Sequence, residues 1–205
     1  MIDLIEQKTI GIISVWKNYS DTIAPDVYAE LSKTSFEMIE TMTSKLRYWT
    51  AKDLDIGDKI LFYTCLGSIV EAWIRFFYCV CQNEYNKKAG DSRTIAELLN
   101  NTTFKKIIND SIGIIFESEN DYLYKWAHEI RKLRNSIHIF KISSFDNHNY
   151  ENDIKNLSTF IDRIWNGLPP IEDVVCLIAA TTIVVLQAIS HMWFGLSFDD
   201  KGTKY

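Results

Sequence analysis

The chain has 205 residues, of which 47% are hydrophobic and 13% aromatic, with three prolines and a net charge of −5. That length and apolar content suit one folded domain and exclude a wholly disordered chain. The negative charge excludes a generic polyanion-binding surface, so any nucleic-acid contact must come from a local basic cluster.

The opening stretch, "MIDLIEQKTIGII", carries acids where a secretory signal would place its basic region, so a cytoplasmic protein is expected. Its periodicity predicts a first helix over residues 2–19. A second helix starts at "APDVYAEL", with Pro25 in its first turn, and runs towards Trp49. The stretch "AKDLDIGDK" breaks the pattern, and a strongly apolar helix follows over residues 59–85. Its buried stripe is Phe62, Leu66, Ile69, Trp73, Phe77 and Val80. Within it lies Glu71, between apolar neighbours and one helical turn before Arg75. Two readings apply: an i,i+4 ion pair at an exposed edge, or a carboxylate that orients a distant Arg or His.

Beyond a turn at "NKKAGDSR", short helices are expected over "TIAELLN" and "TFKKIIND". The acidic connector "ESEND" leads into a helix over residues 126–140. "SSFDNHNYEND" reads as a loop that caps the next helix, residues 154–165, which "NGLPP" stops. Residues 174–198 carry no Asp, Glu, Lys or Arg and are long enough to span a bilayer. However, their strongly apolar part ends at Leu186, polar residues from Thr181 to His191 interrupt it, and no basic cluster flanks it. A helix buried on most sides fits better than a membrane span. The four cysteines, Cys65, Cys79, Cys81 and Cys176, form no C-x-x-C pair and read as free thiols in a reducing compartment. The whole reads as one all-α domain over residues 1–205, with residues 1–50 as an N-terminal helical extension packed on a 59–194 bundle.

The chemistry-bearing stretch is "WAHEIRKLRNSIHIF". At 100° per residue, Trp126, Ile130, Leu133, Ile137 and Phe140 form an apolar stripe. Arg131, Arg134 and His138 form a second line at i, i+3 and i+7, with Asn135 beside it, at the margin of the core. Lys125, His128 and Lys132 take the solvated face. An arginine fork matches phosphate oxygens in two-point contacts. A histidine takes and returns protons near neutrality. In RNA the 2′-hydroxyl is an internal nucleophile, so a proton acceptor and a cationic clamp suffice without a metal. Spacing alone favours a structural edge, because such arginines ordinarily pack their stems on the apolar face and send their heads to water.

"RKLRNSIHIF" resembles the signature of the HEPN superfamily, the all-α domains named for higher eukaryotes and prokaryotes nucleotide-binding. That signature is an Arg, four to six intervening residues and a His, often with a polar residue after an Arg. The helix "LGSIVEAWIRFFYCV" is similar to the first long helix of such domains, which carries an acidic residue in an apolar run. Arg131 and His138 are separated by six residues and fit the spacing at its limit. Arg134, the one followed by Asn135, is separated from His138 by only three, so which arginine fills the family role stays open. Some toxin members carry a Tyr two residues after the His that a partner enzyme modifies. Here that position is Phe140, which argues against this route of control.

The resemblance implies a HEPN-like helical bundle with additional N-terminal helices. It further implies a metal-independent endoribonuclease of the toxin or phage-defence kind. Arg131, Arg134 and His138 would be catalytic, supported by Asn135 and Glu71, with no cofactor. The implied partners are RNA, a second copy of the chain across a cleft, and a cognate antitoxin or other defence protein. The alternative is a non-catalytic module that binds RNA, a nucleotide or a protein through the same face. The basic stretches "FKKII" and "KWAHEIRKLR" are solvated faces by default, or else the rim of an RNA cleft. No P-loop, dinucleotide fingerprint, H-E-x-x-H or G-x-S-x-G occurs.

Overall fold

Six α-helices, and no β-strand, occur among the described residues of this computed structural model, which are 1–18, 36–50, 53–81, 102–136 and 149–168. The fold is all-α, as the periodicity predicts. The helices are α1 (Ile2–Asn18), α2 (Phe36–Thr50), α3 (Ile56–Val80), α4 (Phe104–Asp110), α5 (Tyr122–Asn135) and α6 (Tyr150–Gly167). They belong to one compact unit, Met1–Pro169; the second, Pro170–Tyr205, lies outside the described residues. The apolar 174–198 segment, Cys176 and the short helix expected over "TIAELLN" therefore also lie outside them.

The long helix α3 is the axle, packing against α2, α4, α5 and α6. Its expected stripe of Phe62, Leu66, Ile69, Trp73 and Phe77 is buried, while Val80 is half-buried. Burial also takes in Tyr63, Gly67, Val70, Ile74, Phe76 and Tyr78, so the helix is covered on more than one side. By length and composition it is apolar enough to cross a membrane, with a mean hydropathy of 1.4 over its best window. Neighbouring helices supply its apolar surroundings here, a common property of core helices. The two N-terminal helices pack together: α1 lies on α2 and α6, and α2 runs antiparallel along α3, from Phe36 at Phe76 to Trp49 at Phe62 and Asp58. Trp16, Phe36 and Trp73 each meet the Phe76 ring edge-on, with centroids 5.5–5.8 Å apart.

Helix ends depart from the sequence expectation where a local cap overrides periodicity. α3 starts at Ile56, not residue 59, because the Asp55 carboxylate accepts the Asp58 N–H at 2.8 Å. It ends at Val80, with the Cys81 N–H bonded to the Phe77 carbonyl; residues 82–85 of the expected helix lie outside the described residues. α6 starts at Tyr150 rather than residue 154, because Asn149 Oδ1 accepts the N–H groups of Glu151 and Asn152. The capping role expected of this stretch is thus filled by Asn149.

The helix expected over residues 126–140 differs at its start, and residues 137–140 of that expectation lie outside the described residues. It begins earlier, at Tyr122, where the Asp121 carboxylate accepts the Leu123 N–H at 2.9 Å. It closes at Asn135: the Ser136 N–H and hydroxyl both turn back to the Leu133 carbonyl. A hydroxyl bonded to its own turn competes with helix continuation.

At the centre Asp153, 5% exposed, ties three helices together. It accepts the Tyr63 hydroxyl of α3 and the Trp126 indole N–H of α5, each at 2.9 Å. Burial, and then the Asp153 charge beside it, push the Tyr63 hydroxyl far above its ordinary pKa, so it stays a donor.

Candidate functional site

The motif arginines sit where α5 crosses α3. On α5, Leu123, Trp126, Ala127, Ile130 and Leu133 are buried, and Arg131 and Arg134 are half-buried at the edge of that face. Asn135 is exposed. His138, Ile137 and Phe140 lie outside the described residues.

The two arginines differ in what holds them. Arg134 lays its stem across α3 at Gly67: a Cβ built there would stand 2.8 Å from Arg134 Cδ and 2.9 Å from its Cβ. Only the missing side chain allows that approach. One turn further along α3, Glu71 receives the Arg134 guanidinium through Oε2. The other Glu71 oxygen accepts Arg75 Nη2 at 2.7 Å and Nε at 3.1 Å. Glu71 therefore makes both contacts considered for it, the i,i+4 pair and the reach to the motif helix. Arg75 also donates to the Thr102 carbonyl at 2.7 Å, tying the segment before α4 into the cluster. The Phe104 ring lies beneath Arg134, its centroid 5.7 Å from Cζ.

Arg131 has no such partner. Its Nε is buried without a hydrogen-bond acceptor, and it makes no ion pair among the described residues. A buried guanidinium N–H without an acceptor is costly. In enzymes and binding sites such unmet donors mark where a ligand's acceptor is expected.

α4 packs antiparallel on α5. Asn109, near its end, meets Tyr124 and His128 early in α5, and Phe104, at its start, meets Arg134 late in α5. This contact corrects the expectation for His128. Helical periodicity places it on the solvated face, but it is half-buried, with Nε2 2.9 Å from Asn109 Oδ1 and its ring edge-on to Tyr124 at 4.5 Å. The Tyr124 hydroxyl donates to the same Asn109 oxygen at 3.0 Å. An oxygen acceptor requires the proton on Nε2, which leaves Nδ1 bare. Burial, then the charges of Arg131, Lys132 and Lys105, lower the His128 pKa to about 4, so the ring is neutral at pH 7.

Sequence reasoning missed Gly67 and Asp153. A lone Gly inside a long apolar helix, four residues before Glu71, was the available signal for a close approach. Among the described residues no group of three or more His, Cys, Asp or Glu side chains is placed to hold a metal ion. In comparisons with known proteins, no family model, no curated protein and no solved structure matches the chain.

Proposed function

We propose that the chain is a metal-independent endoribonuclease of HEPN type, acting in the cytoplasm as a toxin or phage-defence effector. The observation that carries this reading is the unequal state of the two motif arginines. Arg134 is anchored on Glu71, while Arg131, one turn away on the same edge, keeps a buried N–H without an acceptor among the described residues. Arg131 is then the arginine that takes the scissile phosphate, and Arg134 fixes the edge on which it stands. His138, two residues past the α5 cap, moves the protons, and Asn135 lines the solvent side of the same edge. The 2′-hydroxyl attacks the neighbouring phosphorus, the P–O5′ bond breaks, and the products carry 2′,3′-cyclic phosphate and 5′-hydroxyl ends.

One such edge offers too few groups for a full site, so two copies pair their motif helices across a cleft. Light scattering at tens of micromolar is expected to give a dimer, and a monomer would oppose a composite site. A cognate antitoxin or another defence protein would cover the cleft. The test of the chemistry is incubation of the purified chain with single-stranded RNA in EDTA. Cleavage is expected to leave cyclic phosphate ends and to fall about a hundredfold or more in His138→Ala, the scale of losing a general acid–base group.

A second reading is favoured by the Glu71 cluster itself. One carboxylate shared by Arg75 and Arg134 is what a purely structural clamp between α3 and α5 requires. In that case the chain is a non-catalytic module, and it binds RNA without cutting it.

A further inference from the structure

Beside the Arg131 edge lies a second set of cations that the reaction as proposed does not use. Lys132 follows Arg131 on α5 and stands at i+4 from His128, on the outer side of the same edge. Lys105 and Asn109 are themselves one turn apart on α4, so both face α5, where Asn109 bonds His128 and Tyr124. The antiparallel register, from Asn109 at His128 to Phe104 at Arg134, sets Lys105 opposite the Arg131–Lys132 step. Lys105 and Lys132 are exposed, and neither they nor Arg131 form an ion pair among the described residues. The adjacent Lys106, by contrast, is neutralised by Asp110 at i+4. In a chain of net charge −5, three uncompensated cations converging on one groove between two short segments form a local exception.

We infer that Lys105, Lys132 and the outer face of Arg131 form a phosphate-binding track along the α4–α5 groove, which holds the RNA strand flanking the scissile phosphate. This rests on the ribonuclease reading for its substrate and adds to it a binding surface outside the reacting groups. The chemistry favours a phosphodiester strand over an isolated carboxylate. The cations are spread along the groove instead of gathered at one point, and a strand presents a charge at each step. Lysine ammonium groups grip such a backbone as mobile point charges without demanding a sequence. The neutral His128 beside the track adds no competing positive charge. Burial is the main cause of its low pKa and the three cations add to it, so an anion in the track relieves the cationic part alone.

The test is salt-dependent binding of a fully 2′-O-methylated single-stranded RNA by the full chain in EDTA, since that strand cannot be cut. Lys105→Ala/Lys132→Ala is expected to flatten the slope of log K against log salt by about 1.4, from about 0.7 per phosphate contact on a single strand. Lys106→Ala should leave the slope unchanged. In wild type, saturating strand should also move the imidazole pKa of His128 upwards from about 4, followed by proton NMR. A slope unchanged in the double variant, or an acidic peptide that competes as well as the RNA strand, overturns the track. Failure of wild type to cut ordinary RNA, with the lysine-dependent slope intact, sinks the ribonuclease reading and leaves the track standing.

Discussion

Asp153 and Glu71 are both carboxylates set among the helices, yet they are held in opposite ways. Asp153 is 5% exposed and accepts uncharged donors, the Tyr63 hydroxyl and the Trp126 indole. Glu71 lies at the margin, where two arginine heads share it and a third, Arg131, one turn away on α5, makes no ion pair among the described residues. Buried dipoles aimed at a carboxylate build a fixed joint. A margin where cations outnumber the carboxylate that holds them keeps positive charge to offer a ligand. The first region is a closed joint, and the second leaves the Arg131 Nε–H without an acceptor among the described residues.

The contrast is broken or sharpened by substitution at each centre. Asp153→Ala strands two buried donors and is expected to cost about 3 kcal/mol, at about 1–3 kcal/mol for each unsatisfied group. A chain of this size then melts roughly 6–12 °C lower, and a melting point within about 2 °C of wild type would remove Asp153 from the core joint. Glu71→Gln removes the charge that two half-buried guanidinium groups share, and a loss of about 2 kcal/mol is expected. Arg134→Ala should follow it in direction, because it breaks the same clamp. Arg131→Ala should stay within about 0.5 kcal/mol of wild type, since no partner among the described residues loses a bond. Equal stability losses for the two arginine variants would erase the distinction between them.

Gly67→Ala sets two effects against each other. Alanine gains about 1 kcal/mol in helix propensity. The new methyl, however, meets Arg134 Cβ and Cδ inside 3 Å, and Cβ is no flexible end that can swing away. Overpacking of that kind costs about 1–3 kcal/mol, so a net loss near 1 kcal/mol is expected by chemical denaturation, with a larger loss for Gly67→Val.

A separate expected effect is acid sensitivity. His128 titrates near 4 in the folded chain and near 6.5 when unfolded, so the unfolded state binds the extra proton between those values. Its contribution is complete above about pH 6.5 and is lost as the pH falls towards 4. Burial opposes ionisation of Asp121, but the N–H groups of Glu117 and Leu123 and the Arg163 guanidinium prevail and hold its carboxyl below the ordinary value. Its contribution is therefore present above the ordinary carboxylate range and is lost as pH falls through the depressed value. Melting points taken from pH 7 to 5 should fall in wild type and fall less in His128→Gln. Identical curves would show that the ring's protonation is not linked to folding.

Periodicity was enough for the helices because apolar stripes such as Phe62, Leu66, Ile69 and Trp73 report burial directly. Their ends were less legible, since a single side-chain bond decides them: Asp55 and Asn149 extend α3 and α6 towards the N-terminus, and Ser136 closes α5. The edge positions of Arg131 and Arg134 followed from helical angle alone. Their unequal partners did not, because Glu71 lies 63 residues from Arg134 and only the α3–α5 crossing joins them. The placement of His128 failed for a similar reason. A helical wheel cannot register that α4 returns antiparallel to cover it. Gly67 carries no side chain and so leaves no apolar signal; its meaning lies in what crosses it.

The central claim is that Arg131 holds the scissile phosphate while Arg134 holds the helix. Single-turnover cleavage of single-stranded RNA in EDTA, at saturating protein, compares Arg131→Ala with wild type most directly. The expected result is a rate lower by about a hundredfold, or about 2.7 kcal/mol of lost transition-state stabilisation, with an unchanged melting point. A rate equal to that of wild type would contradict the assignment of the phosphate to Arg131.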